Sequence, residues 1–182
     1  GVAWLVGGEL NDPAAGLATK TAWTAADFDD SSWKTGTGSF GAKGGALADL
    51  GGGYTPTTLV SQYKPGGTTN VETFFFRTTF DLDAADLAQI TQLNGELAYD
   101  DAARVFVNGT KVAGFADERV DEATGNMVYA GGNGSAPLTG TFTVPASALQ
   151  AGTNTIAIQV HNTNATSSDV FVQLKSLTLA AK

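Results

Sequence analysis

Asp100 and Asp101 stand side by side at the head of an apolar run. Two adjacent carboxylates cannot both enter a core without a large desolvation cost. At least one of them is therefore expected to face solvent, a cation or a hydroxyl-rich ligand. His161, Asn162 and Asp169 form a second polar set farther along the chain. If the segment from Thr155 to Val160 runs antiparallel to that from Arg104 to Val107, both sets arrive at one end of the fold. Such a cluster can coordinate Ca²⁺ through carboxylate and carbonyl oxygens, hydrogen-bond a sugar, or form a buried polar network with Arg104 or Arg77, the network weighing most.

Two further groups have usable chemistry. Asp27, Asp29 and Asp30 read first as turn and cap residues, with Ca²⁺ as the metal chemistry open to them. Tyr54, Tyr63 and Lys64 place aromatics and a cation in a glycine-rich segment, which suits either sugar recognition or surface packing.

Catalytic arrangements fare worse. His161 is the only histidine, so a Ser-His-Asp triad has to use it with Ser167 or Ser168 and Asp169. Those residues are so close in sequence that a shared loop explains them more simply, and no GxSxG elbow is present. Glycosidase carboxylates must flank a substrate, whereas Asp100 and Asp101 are neighbours whose side chains diverge on a strand. Gly36-Thr37-Gly38-Ser39-Phe40-Gly41 spells GxGxxG. It lacks the preceding apolar strand and following helix that a dinucleotide site needs. The chain has no cysteine, which excludes disulfides, thiolate metal sites and cysteine nucleophiles. The expectation is a domain that is not an enzyme.

Eighteen acidic against ten basic residues give a formal charge of −8, which repels phosphate backbones and anionic lipids. No apolar run approaches the roughly 18 residues of a membrane helix, and no basic segment precedes an apolar start. Neither nucleic acid nor membrane insertion is expected, and Gly1-Val2-Ala3-Trp4 looks like an excised or processed beginning. Asn108-Gly109-Thr110, Asn133-Gly134-Ser135 and Asn164-Ala165-Thr166 match the short glycosylation sequon, a pattern common in threonine-rich chains.

The elements that must position these residues are strands. Phe74 to Phe80, Leu93 to Tyr99, Thr141 to Val144, Thr155 to His161 and Val170 to Leu177 carry the aromatic and β-branched residues of strands. Asn108-Gly109 between Val107 and Thr110 predicts a two-residue type I′ hairpin, because both central residues need positive φ. Ala146 to Gly152 and Ala84 to Ala88 read as short helical turns. The glycine-rich stretch from Gly36 to Gly67 reads as a long ordered loop over a sheet. With 23 glycines in 182 residues and no amphipathic helix, the chain reads as one all-β domain, an antiparallel two-sheet sandwich.

Several segments in order resemble the galactose-binding-like jelly rolls that accompany bacterial secreted hydrolases. They are Trp23 with Asp27-Phe28-Asp29-Asp30-Ser31-Ser32-Trp33, Ser39-Phe40-Gly41, Phe75-Phe76-Arg77 with Phe80, and Asp100-Asp101 through Val107-Asn108-Gly109. Leu149, Gly152-Thr153-Asn154, Val160-His161-Asn162 and Ser167-Ser168-Asp169 complete the set. The resemblance covers almost the whole of 1–182 and implies a jelly-roll accessory domain, probed from the residues by the Phe-Asp-Asp-Ser-Ser-Trp corner. It also implies a secreted or cell-surface bacterial setting, a catalytic domain in the same polypeptide, and a glycan or polysaccharide ligand. The alternative is an adhesion or spacer domain with no small ligand. Asp100, Asp101, His161, Asn162, Asp169, Tyr54, Tyr63 and Lys64 are the expected ligand-binding residues. Asp27, Asp29 and Asp30 are the expected ligands of a structural Ca²⁺. Trp23, Phe28 and Trp33 are expected to pack a core or corner, leaving Trp4, Tyr54 and Tyr63 as stacking candidates.

Overall fold

A computed structural model describes residues 3–120, 125–132 and 136–182; the sequon at Asn133-Gly134-Ser135 lies outside the described residues. The strands are β1 (Ala3–Gly7), β2 (Lys34–Thr37), β3 (Phe40–Lys43), β4 (Thr58–Leu59), β5 (Thr73–Leu82) and β6 (Ile90–Asp100). They continue as β7 (Ala102–Val107), β8 (Thr110–Phe115), β9 (Leu138–Pro145), β10 (Gly152–His161) and β11 (Asp169–Ala181). Helix is confined to α1 (Ala84–Gln89), which Asp83 caps by accepting from the Asp86 N–H at 2.6 Å, and to 3-10 turns at Ala22–Thr24 and Ala146–Ala148.

The strands form the expected two-sheet β-sandwich. One sheet has the order β2-β1-β5-β10-β7-β8 and the other β4-β3-β11-β6-β9. From β5 onward the chain passes repeatedly between the sheets, the crossing habit of a jelly roll. Every pairing is antiparallel except the short β3·β4 contact.

Alternation along the strands explains the layers. Phe74 and Phe76 on β5, Val105 and Val107 on β7, and Ile156, Ile158 and Val160 on β10 meet Leu93, Leu97, Val170 and Val172 of the facing sheet. The intervening Phe75, Phe106 and Ala157 point the other way, yet they are buried too. They pack under Trp23 and Ala14, carried by the excursion between β1 and β2. A strand covered on both faces reads as an unbroken apolar run, which is why Phe74-Phe75-Phe76 shows no alternation. Trp23, Phe28 and Trp33 are thus corner packing, as expected.

The hairpin forms as predicted: Asn108 has φ 48° and Gly109 φ 86°, with Val107 opposite Thr110. Asn108 does more than turn the chain. Its amide donates to the Ala148 carbonyl at 3.0 Å and to Asn154 Oδ1 at 2.9 Å, and accepts from the Thr155 N–H at 2.9 Å, fastening the turn to the start of β10.

Two expectations need correction. Gly36 to Gly67 is not one loop: it contains the end of β2, all of β3 and β4, and Phe40 and Ala42 of β3 are core residues. Four- and two-residue strands are too short to show a period among glycines. Trp4 is not a stacking candidate, because β1 buries it between the sheets with 7% exposure.

Candidate functional site

The antiparallel pairing of β10 with β7 sets His161 opposite Ala102, so the two polar sets do meet at one end of the sandwich. Asp100 ends β6 opposite Phe171, and Asp101 is the single residue that carries the chain from that sheet into β7. The residues after β10 wrap this corner: the Asp101 N–H donates to the His161 carbonyl at 3.1 Å, and Asp101 Oδ2 accepts from the Thr163 N–H at 2.9 Å. Asp169 opens β11 opposite Lys43 of β3.

Asp100 is 2% exposed, and its carboxyl group faces those of Asp101 and Asp169. Burial first, and then the two neighbouring carboxyls, push Asp100 up to about 11. Asp169 is raised as well, chiefly by burial. No cation is among the groups that act on Asp100. The arginines proposed as network partners are engaged elsewhere: Arg77 Nε holds Asp30 Oδ2 at 2.8 Å, and Arg104 Nε holds Asp117 Oδ2 at 2.8 Å.

His161 is brought to this end but not into the cluster. Its side chain lies on the outer face of its sheet, where Nδ1 sits 2.7 Å from the Val128 carbonyl and 3.1 Å from Thr73 Oγ1, and Nε2 sits 2.7 Å from Gln159 Nε2. That set assigns the proton to Nδ1, donating to Val128, with Nε2 accepting from Gln159. Burial pushes the imidazole down to about 4. A fully buried, neutral ring with both nitrogens engaged has nothing to offer a ligand or a proton transfer.

The remaining predicted residues disperse. Asp27 and Asp29 are exposed, and Asp29 accepts from the Ser31 N–H at 3.0 Å as an Asx turn; the Ser31 side chain first, and then this N–H, lower its pKa. Asp30 is committed to Arg77, which also donates to the carbonyls of Trp23 and Ala25 at 2.6 and 2.8 Å. Of the expected Ca²⁺ ligands, Asp29 thus serves a turn and Asp30 an ion pair with Arg77. Tyr54 packs on Phe171 at 5.2 Å between centroids, and Lys175 covers its ring and donates to its hydroxyl at 3.0 Å. Tyr63 lies against Gly45 and pairs with Asn70, while Lys64 forms an exposed ion pair with Glu72. None of these three residues lines the recess beside Asp169.

What does adjoin the corner is a recess of about 470 Å³ lined by Lys43, Thr163, Asn164, Ser167, Ser168 and Asp169. Its walls are hydroxyls, an amide, a carboxylate and one ammonium. Thr163 and Lys43 were not singled out by sequence, since Lys43 reaches the site only through the β3·β11 register. A larger cleft of about 550 Å³ opens toward the other end of the sandwich, but it is mostly apolar, walled by Trp4, Phe40, Phe76, Leu93 and Leu177, and of the residues singled out by sequence only Trp4 lines it.

No family model and no curated protein matches the chain. Solved structures share its fold. A glycosyl hydrolase family 2 member from Bacteroides cellulosilyticus is 17% identical over 95% of this chain and 20% of its own, with a TM-score of 0.53. A β-glucuronidase from Bacteroides uniformis is 16% identical over 94% of this chain and 17% of its own, with a TM-score of 0.51. A β-glucuronidase from glycoside hydrolase family 2 is 16% identical over 94% of this chain and 16% of its own, with a TM-score of 0.53. The chain thus spans a fifth or less of the length of these proteins, and at such identity the likeness establishes the fold.

Proposed function

We propose that this chain is a non-catalytic accessory domain of an exported or cell-surface bacterial polypeptide that binds a glycan in the recess beside Asp169. The observation that carries the reading is the composition of that recess. Lys43, Asn164, Ser167, Ser168 and Asp169 bring an ammonium, an amide, two hydroxyls and a carboxylate to one concavity, the kinds of group that ring hydroxyls require. The engagement of His161 on both nitrogens supports a binding rather than an acid–base role. The glycosidase chains of like fold support a catalytic domain elsewhere in the polypeptide, because their matching portion is so small a share of each.

Trp23 and Trp4 are buried and Tyr54 lies beneath Lys175, so recognition rests on hydrogen bonds more than on stacking, and modest affinity follows. Affinity electrophoresis of the chain through gels containing soluble xylan, galactan, arabinan or mannan is expected to show retardation by at least one. Lys43→Ala should weaken that binding by roughly tenfold or more, the scale of a lost charged hydrogen bond, with the melting temperature unchanged. A chain that none of these polysaccharides retards would favour the spacer alternative.

A further inference from the structure

We infer that the corner formed by Asp100, Asp101, Asn162 and Thr163 is a binding site for one hard, oxygen-preferring cation, with Ca²⁺ the fitting ion. The inference does not rest on the glycan reading, although the site adjoins the same recess. Five of the seven buried side-chain polar atoms that lack a partner among the described residues belong to these four residues: Asp100 Oδ2, Asp101 Oδ1, Asn162 Oδ1 and Nδ2, and Thr163 Oγ1. Buried polar atoms are almost always satisfied, so the concentration of four unpartnered oxygens at one corner has a common cause, whereas Asn162 Nδ2 is a donor that a cation does not satisfy. Asn162 is fully buried and Thr163 is 3% exposed, so bulk water does not solve the problem for either.

The carboxylates show what kind of partner is wanted. Asp100 faces Asp101 and Asp169, and among the described residues no N–H or hydroxyl of another residue reaches Asp100 Oδ2 or Asp101 Oδ1. Facing carboxyl groups in a desolvated corner need either a proton or a cation between them, and a cation alone also engages the neutral oxygens of Asn162 and Thr163. Among the described residues, no three Asp, Glu, His or Cys side chains converge at metal-ligand spacing on their own. The shell is therefore mixed: Asp100 and Asp101 supply charge, Asn162 Oδ1 and Thr163 Oγ1 supply neutral oxygens, and water enters through the recess that Thr163 and Asp169 line. Calcium takes six to eight oxygens from carboxylates, amides, hydroxyls and water in flexible geometry, which this set can meet. Zinc is disfavoured, since the chain has no cysteine and its one imidazole has both nitrogens engaged.

The whole chain, stripped with EDTA and dialysed, should give a saturable one-to-one heat on titration with CaCl₂. Its melting temperature should rise by about 5–10 °C at a hundredfold excess over Kd, because an ion that binds only the folded state stabilises it. Asp101→Asn is expected to weaken Ca²⁺ binding by about tenfold or more, and Asp29→Asn to leave it unchanged. Absence of heat together with an equal melting temperature in EDTA and in millimolar Ca²⁺ would overturn the inference, as would binding lost in Asp29→Asn and kept in Asp101→Asn. Should Asp101→Asn fail to fold, anomalous diffraction from crystals of the unaltered chain grown with Ca²⁺ decides. A peak at coordination distance from both Asp100 and Asp101 supports the site, and no peak, or only ordered water there, refutes it.

Discussion

Trp23→Ala is expected to lower the unfolding free energy by about 3–5 kcal/mol, the range for truncating a fully buried large aromatic. Trp23 has no exposed surface and sits at the centre of an aromatic group, 5.1 Å from Phe75, 6.1 Å from Phe106 and 6.4 Å from Trp33 between centroids. It is also the piece of the β1–β2 excursion that covers the outer face of β5, β7 and β10. Its loss exposes Phe75 and Phe106 together. Among the described residues the buried indole Nε1 has no hydrogen-bond partner, so the nitrogen contributes nothing that phenylalanine would forfeit. Trp23→Phe should therefore cost about 1–2 kcal/mol, from lost volume alone. Urea unfolding of the two variants checks this, and equal losses would show that the indole nitrogen matters.

The second large effect is expected at Arg77, whose side chain is 4% exposed. Its guanidinium joins Asp30 and the carbonyls of Trp23 and Ala25, with its plane 5.3 Å from the Phe28 ring centroid. One cation thus fastens the aromatic corner to the middle of β5. Arg77→Ala should cost about 3 kcal/mol, at the lower end for breaking a buried pair because Asp30 keeps 24% of its side chain in water. Arg77→Lys should recover only part of it, since an ammonium cannot span a carboxylate and two carbonyls with a planar fork. Urea midpoints measure both, and full rescue by lysine would show that charge alone is required.

These two residues also show how the fold was and was not legible. The Phe-Asp-Asp-Ser-Ser-Trp corner and the Phe-Phe-Phe-Arg strand could both be recognised from residue types, because turn chemistry and β-branched or aromatic runs are local properties. Nothing local joins Asp30 to Arg77, which are brought together by the return of the chain after the corner. The strand β1 is not legible for a related reason. Five residues ending at Gly7 carry too short a period, and pairing with β2 on one side and with Arg77, Phe76 and Phe75 of β5 on the other makes them a strand.

The site divides in the same way. From sequence alone it follows that Asp100 and Asp101 cannot both be idle in a core, that the Asn108-Gly109 hairpin fixes the strand between them and the turn, and that an antiparallel pairing of that strand with Thr155 to Val160 would bring Asn162 and Asp169 to the same end. Desolvation cost, turn dihedrals and antiparallel pairing suffice for each. Only the tertiary structure decided that His161 turns away to Val128 and Gln159, that Arg77 commits Asp30, and that Lys43 rather than Lys64 stands beside Asp169. Side-chain direction at a strand end, and the partner across a sheet, depend on registers between segments far apart in the chain, and residue types encode no register until both strands are in place.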